Sequence, residues 1–183
     1  MSVRGWDIWL LAAPSLLCAA ILVAPLAAAT AHPAAAALLY MLFAPLCHQL
    51  RERSFLLLGF PLAVCARCTG IYLGVWLGML GGICKRASEP GRPMSSPSRR
   101  WIVIALALMA VDVATELADL RPPLAGLRLA TGLLLGVSGG VWLRYSVRRL
   151  AEEIKRLPAE TPSVAGSEVA RLEQSTALVR IFW

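Results

Sequence analysis

The chain has 183 residues, of which 58% are hydrophobic and 16% are charged, and its mean hydropathy is +0.67. Globular proteins average about 45–50% apolar and about 25% charged residues, so this composition excludes a disordered chain and disfavours a water-soluble domain. The net charge of +7 would suit nucleic acid, but the basic residues lie mostly between or beside long apolar runs and lack an aromatic platform. We therefore predict a protein that contacts the lipid bilayer and no nucleic acid.

Four apolar runs are long enough to span a bilayer, whose hydrocarbon core requires about 20 helical residues. They cover residues 8–29, 68–84, 101–120 and 124–143. A further run, 34–46, is too short to span and contains Pro45, so we predict a half-helix or re-entrant segment there. Counted in chain order it is the second of five runs, which makes 68–84 the third, 101–120 the fourth and 124–143 the fifth. The predicted fold class is an all-α, polytopic membrane protein with about four transmembrane helices plus this short segment. The first run is expected to be retained, because it is longer than the roughly 7–15 apolar residues of a signal peptide.

The basic residues indicate the orientation of these helices. The linker 85–100 and the segment that follows residue 143 are both rich in lysine and arginine, so the positive-inside rule places them in the cytoplasm. Pro122 and Pro123 then form a short external turn between the fourth and fifth runs. We predict a transmembrane domain over 1–145 and a cytoplasmic tail over 146–183, in which a helix over 146–157 precedes a disordered end.

Two of the runs carry glycine at every fourth position. Such small-xxx-small ridges let helix backbones approach closely in lipid, and packing is the favoured role here over a substrate path. The sequence leaves open whether the ridges pack within one chain or between copies, so a protein partner or homo-oligomer is undetermined. The glycines are Gly70, Gly74 and Gly78 in the third run and Gly132, Gly136 and Gly140 in the fifth.

Cysteine and histidine residues gather between the short segment and the third run. Cys65 and Cys68, at i and i+3 where a helix begins, are able to point at one centre, and Cys47 and His48 supply a third and a fourth donor. A Cys₃His set is a common composition of structural zinc sites, and sulfur and nitrogen donors suit zinc or iron. The helix N-terminus and Arg67 would favour thiolate. The alternative is that these residues only pack, with His48 capping a helix.

Three acidic residues interrupt the fourth run. Asp112, Glu116 and Asp119 follow i, i+4, i+7 spacing and so share one helix face. Ionisable groups inside a membrane are costly, face the protein interior and mark functional sites by default. Arg128, beyond the turn, is expected near Glu116 or Asp119. A structural ion pair close to the interface is the alternative interpretation.

The motifs resemble a known family. The sequence is similar to the signature of a prokaryotic membrane-protein family, the domain of unknown function 2085, over residues 39–143. The resemblance implies a small multi-spanning protein of a prokaryotic membrane, which we expect to be the cytoplasmic membrane. It also implies that the motif residues named below form the centre of the protein, and it implies no particular reaction. It is carried by Cys47-His48-Gln49, Arg51, Arg53-Ser54-Phe55, Gly59, Pro61, Cys65-Ala66-Arg67-Cys68-Thr69-Gly70-Ile71-Tyr72-Leu73-Gly74, Leu127-Arg128 and Thr131-Gly132.

Three functional hypotheses remain open on the sequence. The leading one is a zinc or iron site near the outer membrane face, built by Cys47, His48, Cys65 and Cys68. The second is a thiol–disulfide redox protein that uses Cys65 and Cys68, and the third is a small transporter that uses Asp112 and Glu116. Candidates for a surrounding polar shell or for substrate binding are Arg51, Arg53, Arg67, Asp112, Glu116, Asp119 and Arg128.

Overall fold

The computed structural model describes residues 3–88, 97–122 and 124–181, with side chains described for residues 9–83, 97–122 and 124–154. The predicted linker 85–100 and the Pro122–Pro123 turn therefore lie partly outside the described residues. The chain forms five helices and a small hairpin over this described part. The elements are α1 (Val3–Ala29), α2 (Pro33–Phe43), β1 (Leu56–Leu57), β2 (Phe60–Pro61), α3 (Ala66–Ser88), α4 (Arg99–Leu117) and α5 (Ala125–Ile181), and a short 3₁₀ turn covers Arg51–Arg53.

The chain divides into two compact units, Met1–Tyr145 and Ser146–Trp183. The first contains α1 to α4 and the beginning of α5, and the second contains the part of α5 that follows Tyr145. A helix over 146–157 with a disordered end is predicted from the sequence, whereas α5 continues to Ile181.

Two of the described helices are long and apolar enough to cross a membrane. These candidate spans are Trp9–Ala29 and Ala125–Ile154. The short helix α2 is apolar but below spanning length, and it ends at Phe43, ahead of the turn that contains Pro45. The helices α3 and α4 are present over the third and fourth apolar runs, but they are not among the candidate spans.

A small apolar core joins α1, α2 and the loop that precedes α3. Its buried side chains include those of Ile21, Phe43 and Val64, and the thiol of Cys47 belongs to it. The ring of Phe43 meets that of Tyr72 on α3 edge to face, with 5.8 Å between centroids. This core holds the end of α2 against the beginning of α3, where the cysteine motif lies.

The helices α3 and α5 pack with their backbones in close contact. A Cβ atom added to Gly136 would lie 2.9 Å from Cα of Gly74, a distance that real Cβ atoms do not show. Contacts of the same kind recur one turn away on either side, so the two helices run parallel along both glycine ridges. The absence of side chains at these glycines is what lets the two helix backbones approach so closely.

The hairpin β1–β2 departs from the predicted all-α fold. Leu56 pairs with Pro61 and Leu57 with Phe60 in antiparallel register. The two turn residues, Leu58 and Gly59, both have positive φ, at 53° and 84°, as a two-residue type I′ turn requires. Leucine is rare at the first of these positions, where Asn or Asp is usual, so the residues themselves do not indicate a turn.

Candidate metal centre and ion-pair network

Three cysteine side chains converge at the beginning of α3. The Sγ atoms of Cys47, Cys65 and Cys68 all lie within 4.8 Å of one another. Cys47 is buried and the other two are half-buried. No other described residues form such a group of three or more potential metal ligands.

The loop between α2 and α3 brings these cysteines together. The amide of Cys47 donates to the carbonyl of Phe43 at 2.9 Å, which continues the last turn of α2. The hairpin then returns the chain, and the amide of Cys65 donates to Cys47 Sγ at 3.2 Å. The hydroxyl of Tyr40 donates to the carbonyl of Pro61 at 2.6 Å and so ties the hairpin to α2.

The thiol of Cys65 is set up to ionise. Its pKa is lowered to about 5, chiefly by a hydrogen bond with the Cys68 side chain. Burial opposes this shift of the pKa, whereas hydrogen bonds with the backbone of Cys68 and Arg67 and with the Cys47 side chain lower the pKa further. Cys65 lies immediately before α3, and its carbonyl accepts the amide of Thr69 at 2.9 Å. Donors at the N-terminus of a helix favour negative charge there. The lowered pKa of Cys65 favours its thiolate, the form of cysteine that binds metals.

The fourth predicted donor, His48, does not join the cluster. It is exposed, and the group of potential ligands contains the three cysteines without it. Successive residues direct their side chains differently, so with Cys47 turned into the core, His48 faces outward. The structure thus brings together a Cys₃ set where the sequence predicts Cys₃His.

Arg67 connects the cysteine motif to α4. It lies between Cys65 and Cys68 in the sequence, and its guanidinium group donates to Asp112 Oδ2 at 2.5 Å and lies 3.4 Å from Glu116 Oε2. The Asp112 side chain is 2% exposed and that of Glu116 is 10% exposed. A buried ionic network is therefore anchored within the cysteine motif itself.

Two further arginines complete this network. Arg128 on α5 binds Glu116 through two nitrogen atoms, with 2.9 Å from Nε to Oε2. Arg121, just before α5, pairs with the carboxylate of Asp112 and also donates to its backbone carbonyl at 2.9 Å. Sequence reasoning missed Arg121. The one available signal was a basic residue directly before Pro122, close in sequence to the acidic residues of α4.

The other predicted polar residues lie at the edge of the network or outside it. Arg53 is 3.6 Å from Glu116 and 48% exposed. Arg51 is exposed and donates to the carbonyl of Gly59 at 3.0 Å. Asp119 is exposed after α4 with a φ of 52°, and it forms no ion pair with a described residue.

The chain is similar in sequence to predicted membrane proteins and to uncharacterized archaeal proteins. The sequence model of a family described as "Predicted membrane protein (DUF2085)" matches residues 47–141, which include the three cysteines and the buried ion pairs. An uncharacterized protein of Methanocaldococcus jannaschii is 40% identical over 99 residues, which are 54% of this chain and 61% of that protein. An uncharacterized protein of Methanothermobacter thermautotrophicus is 32% identical over 100 residues, 53% of this chain and 83% of that protein. The match thus spans less than two thirds of the first relative. No solved structure matches the chain significantly.

Proposed function

The chain belongs to the DUF2085 family of predicted membrane proteins, and we propose that it is a membrane metalloprotein whose cysteine cluster binds one zinc or iron ion. The ligands are the thiolates of Cys47, Cys65 and Cys68. The observation that carries the proposal is the convergence of the three Sγ atoms within 4.8 Å.

The spacing of the sulfur atoms supports tetrahedral binding. Zinc–sulfur bonds of about 2.3 Å at tetrahedral angles place two sulfur ligands about 3.8 Å apart. The cluster therefore needs to contract by no more than about an ångström to hold the ion. Soft thiolate donors favour zinc or iron over magnesium or calcium.

A set of three protein ligands has a consequence for chemistry. Structural zinc sites are closed by four protein ligands, whereas sites with three leave the fourth position to water or substrate. Because His48 is exposed and apart from the thiols, we propose an open fourth position at this ion. That position is where a bound water molecule or a substrate group would be polarised.

We further propose that α3 and α4 also span the membrane, which makes four spanning helices. Both carry many exposed apolar side chains, among them Leu73, Leu77, Trp101 and Val103. The basic linker 85–100 and the basic residues after 143 favour a cytoplasmic tail by the positive-inside rule. The cysteine cluster then lies near the outer face of a prokaryotic cytoplasmic membrane.

Metal stoichiometry tests the proposal. We expect about one equivalent of zinc or iron in the detergent-purified protein, loss of that metal in Cys68→Ser, and retention in His48→Ala. Cys18→Ser is the matched control, because it removes a free thiol on α1, outside the cluster. Metal-free wild-type protein, or equal loss from the Cys18 and Cys68 variants, would contradict the metal site.

Thiol–disulfide exchange is a second candidate, favoured by the proximity of Cys65 and Cys68. In this reaction the two Sγ atoms form a disulfide, and two protons and two electrons pass to a quinone, giving a quinol, or to a disulfide, giving two thiols. Thiol counting separates the candidates. A metal-free protein with one reducible disulfide favours exchange, whereas a chelator-sensitive protection of three thiols favours the metal.

Proton-coupled transport through Asp112 and Glu116 is less well supported. Both carboxylates are already paired with arginine side chains. A carboxylate that carries a proton has to alternate between its charged and neutral forms, and the paired arginines favour the charged form. We therefore do not propose this activity.

A further inference from the structure

The buried ionic network contains more positive than negative charge. Within the described residues, three guanidinium groups, those of Arg67, Arg121 and Arg128, contact two carboxylates, those of Asp112 and Glu116. Arginine stays protonated under all ordinary conditions. The network therefore carries an excess of one positive charge, to which Arg53 adds a partly exposed second.

This excess lies in surroundings where charge is costly. The Arg128 side chain is 3% exposed, and those of Arg67 and Arg121 are 18% and 20% exposed. Removing an ion from water costs several kcal/mol, by order of magnitude, unless a partner compensates it. An anion from outside the chain would stabilise such an unbalanced network.

The hydrogen bonds lead to the same conclusion. Nε of Arg67 and Nη1 of Arg121 are buried and have no hydrogen-bond partner among the described residues. Both arginines bind Asp112 through Nη2, and Nε of Arg121 donates to Thr115 Oγ1. Buried donors nearly always find an acceptor, and beside an excess positive charge the best acceptor is an oxyanion.

We propose that this network binds a small oxyanion, a phosphate or carboxylate group, through Arg67 and Arg121. Planar guanidinium groups match the geometry of such oxygen atoms. Arg53, at the exposed edge of the network, marks the side from which the anion enters. This anion site is separate from the proposed metal site, because its ligands are arginine side chains and not the three cysteines. Anion binding therefore does not require a bound metal.

Calorimetric titration of inorganic phosphate into the full-length detergent-purified protein tests the site, with chloride at equal ionic strength as reference. A charge-assisted hydrogen bond contributes about 1.5–3 kcal/mol, so Arg121→Gln is expected to weaken phosphate binding at least roughly tenfold. Arg149→Gln is the matched control, because it removes the same charge from an exposed ion pair of the tail. Equal affinities in both variants would overturn the proposal.

Arg53→Gln gives a second test that does not disturb the buried pairs. Because Arg53 is half exposed, its removal should weaken phosphate binding by about two- to fivefold, in line with exposed ion pairs. An unchanged affinity in this variant, together with a folded Arg121→Gln protein that binds phosphate normally, would refute the site.

A lipid headgroup is the other source of the same chemistry. If phosphate does not bind, thermal unfolding in nanodiscs of phosphatidylglycerol is compared with nanodiscs of phosphatidylcholine. Stabilisation by the anionic lipid that Arg121→Gln abolishes and Arg149→Gln preserves would assign the site to a headgroup. If phosphate does not bind and the anionic lipid does not stabilise the protein, the proposal is contradicted.

Discussion

The carboxylate of Asp112 is expected to be the most important single polar group for the stability of the first unit. It accepts hydrogen bonds from Arg67 and Arg121, and Thr131 Oγ1 lies 3.4 Å away. Arg67 lies on α3, Arg121 in the turn between α4 and α5, and Thr131 on α5, so the Asp112 side chain joins three parts of the chain. Asp112→Asn keeps the shape of the side chain and removes its charge.

The magnitude follows from burial. The Asp112 side chain is 2% exposed, so water does not replace the lost interactions. Removing one partner of a buried ion pair costs about 3–5 kcal/mol, because the remaining charge is left uncompensated. Two arginines lose their partner here, and we expect the upper part of that range. For a chain of this length, about 4–5 kcal/mol corresponds to an unfolding temperature lower by about 8–20 °C.

Thermal unfolding followed by far-ultraviolet circular dichroism in detergent measures the effect. The control is Asp119→Asn, which removes the same charge from an exposed position after α4. Asparagine tolerates the positive φ of that residue, so we expect a change within about 0.5 kcal/mol, as for other surface substitutions. If both variants unfold at the temperature of the wild type, the network does not stabilise the fold and the reasoning is refuted.

Two further substitutions test the packing and the hairpin. Gly136→Ala should destabilise the protein by about 1–3 kcal/mol, because the new methyl group meets the α3 backbone. Gly139→Ala, with open space at its Cβ position, should be neutral or slightly stabilising, because alanine has the higher helix propensity. Equal unfolding temperatures of the two variants would contradict the close packing of α3 and α5. Leu58→Asn should stabilise the hairpin by about 0.5–1 kcal/mol, because asparagine adopts a positive φ more readily than leucine does. A lower unfolding temperature in that variant would show that the exposed leucine side chain contributes more stability than its strained backbone costs.

Periodicity and length predict the helices but not their detail. Apolar runs bounded by proline and basic residues indicate helices close to those observed, including the short α2 ahead of Pro45. The hairpin could not be predicted, because its turn begins with a leucine and its strands are two residues long. Such short strands depend on contacts from elsewhere, here the hydrogen bond from Tyr40.

The candidate site is partly readable from local spacing. Cys65 and Cys68 are one helical turn apart, and Asp112 and Glu116 share a face by the i, i+4 rule. The donor set is harder to read, since whether Cys47 or His48 faces the other thiols depends on how the backbone leaves α2. Arg121 was missed for a similar reason. Pro122 and Pro123 predict the turn itself, but the pairing requires the Arg121 side chain to reach back along α4 to Asp112, nine residues earlier, and no local pattern encodes that contact.

X-ray absorption spectroscopy at the zinc or iron edge of the purified protein reports which atoms bind the metal. We expect three sulfur ligands at about 2.3 Å and one lighter oxygen or nitrogen ligand from water or a bound molecule, with the same spectrum in His48→Ala. Four sulfur ligands, a metal without sulfur ligands, or a spectrum that changes when His48 is removed would contradict an open Cys₃ metal site.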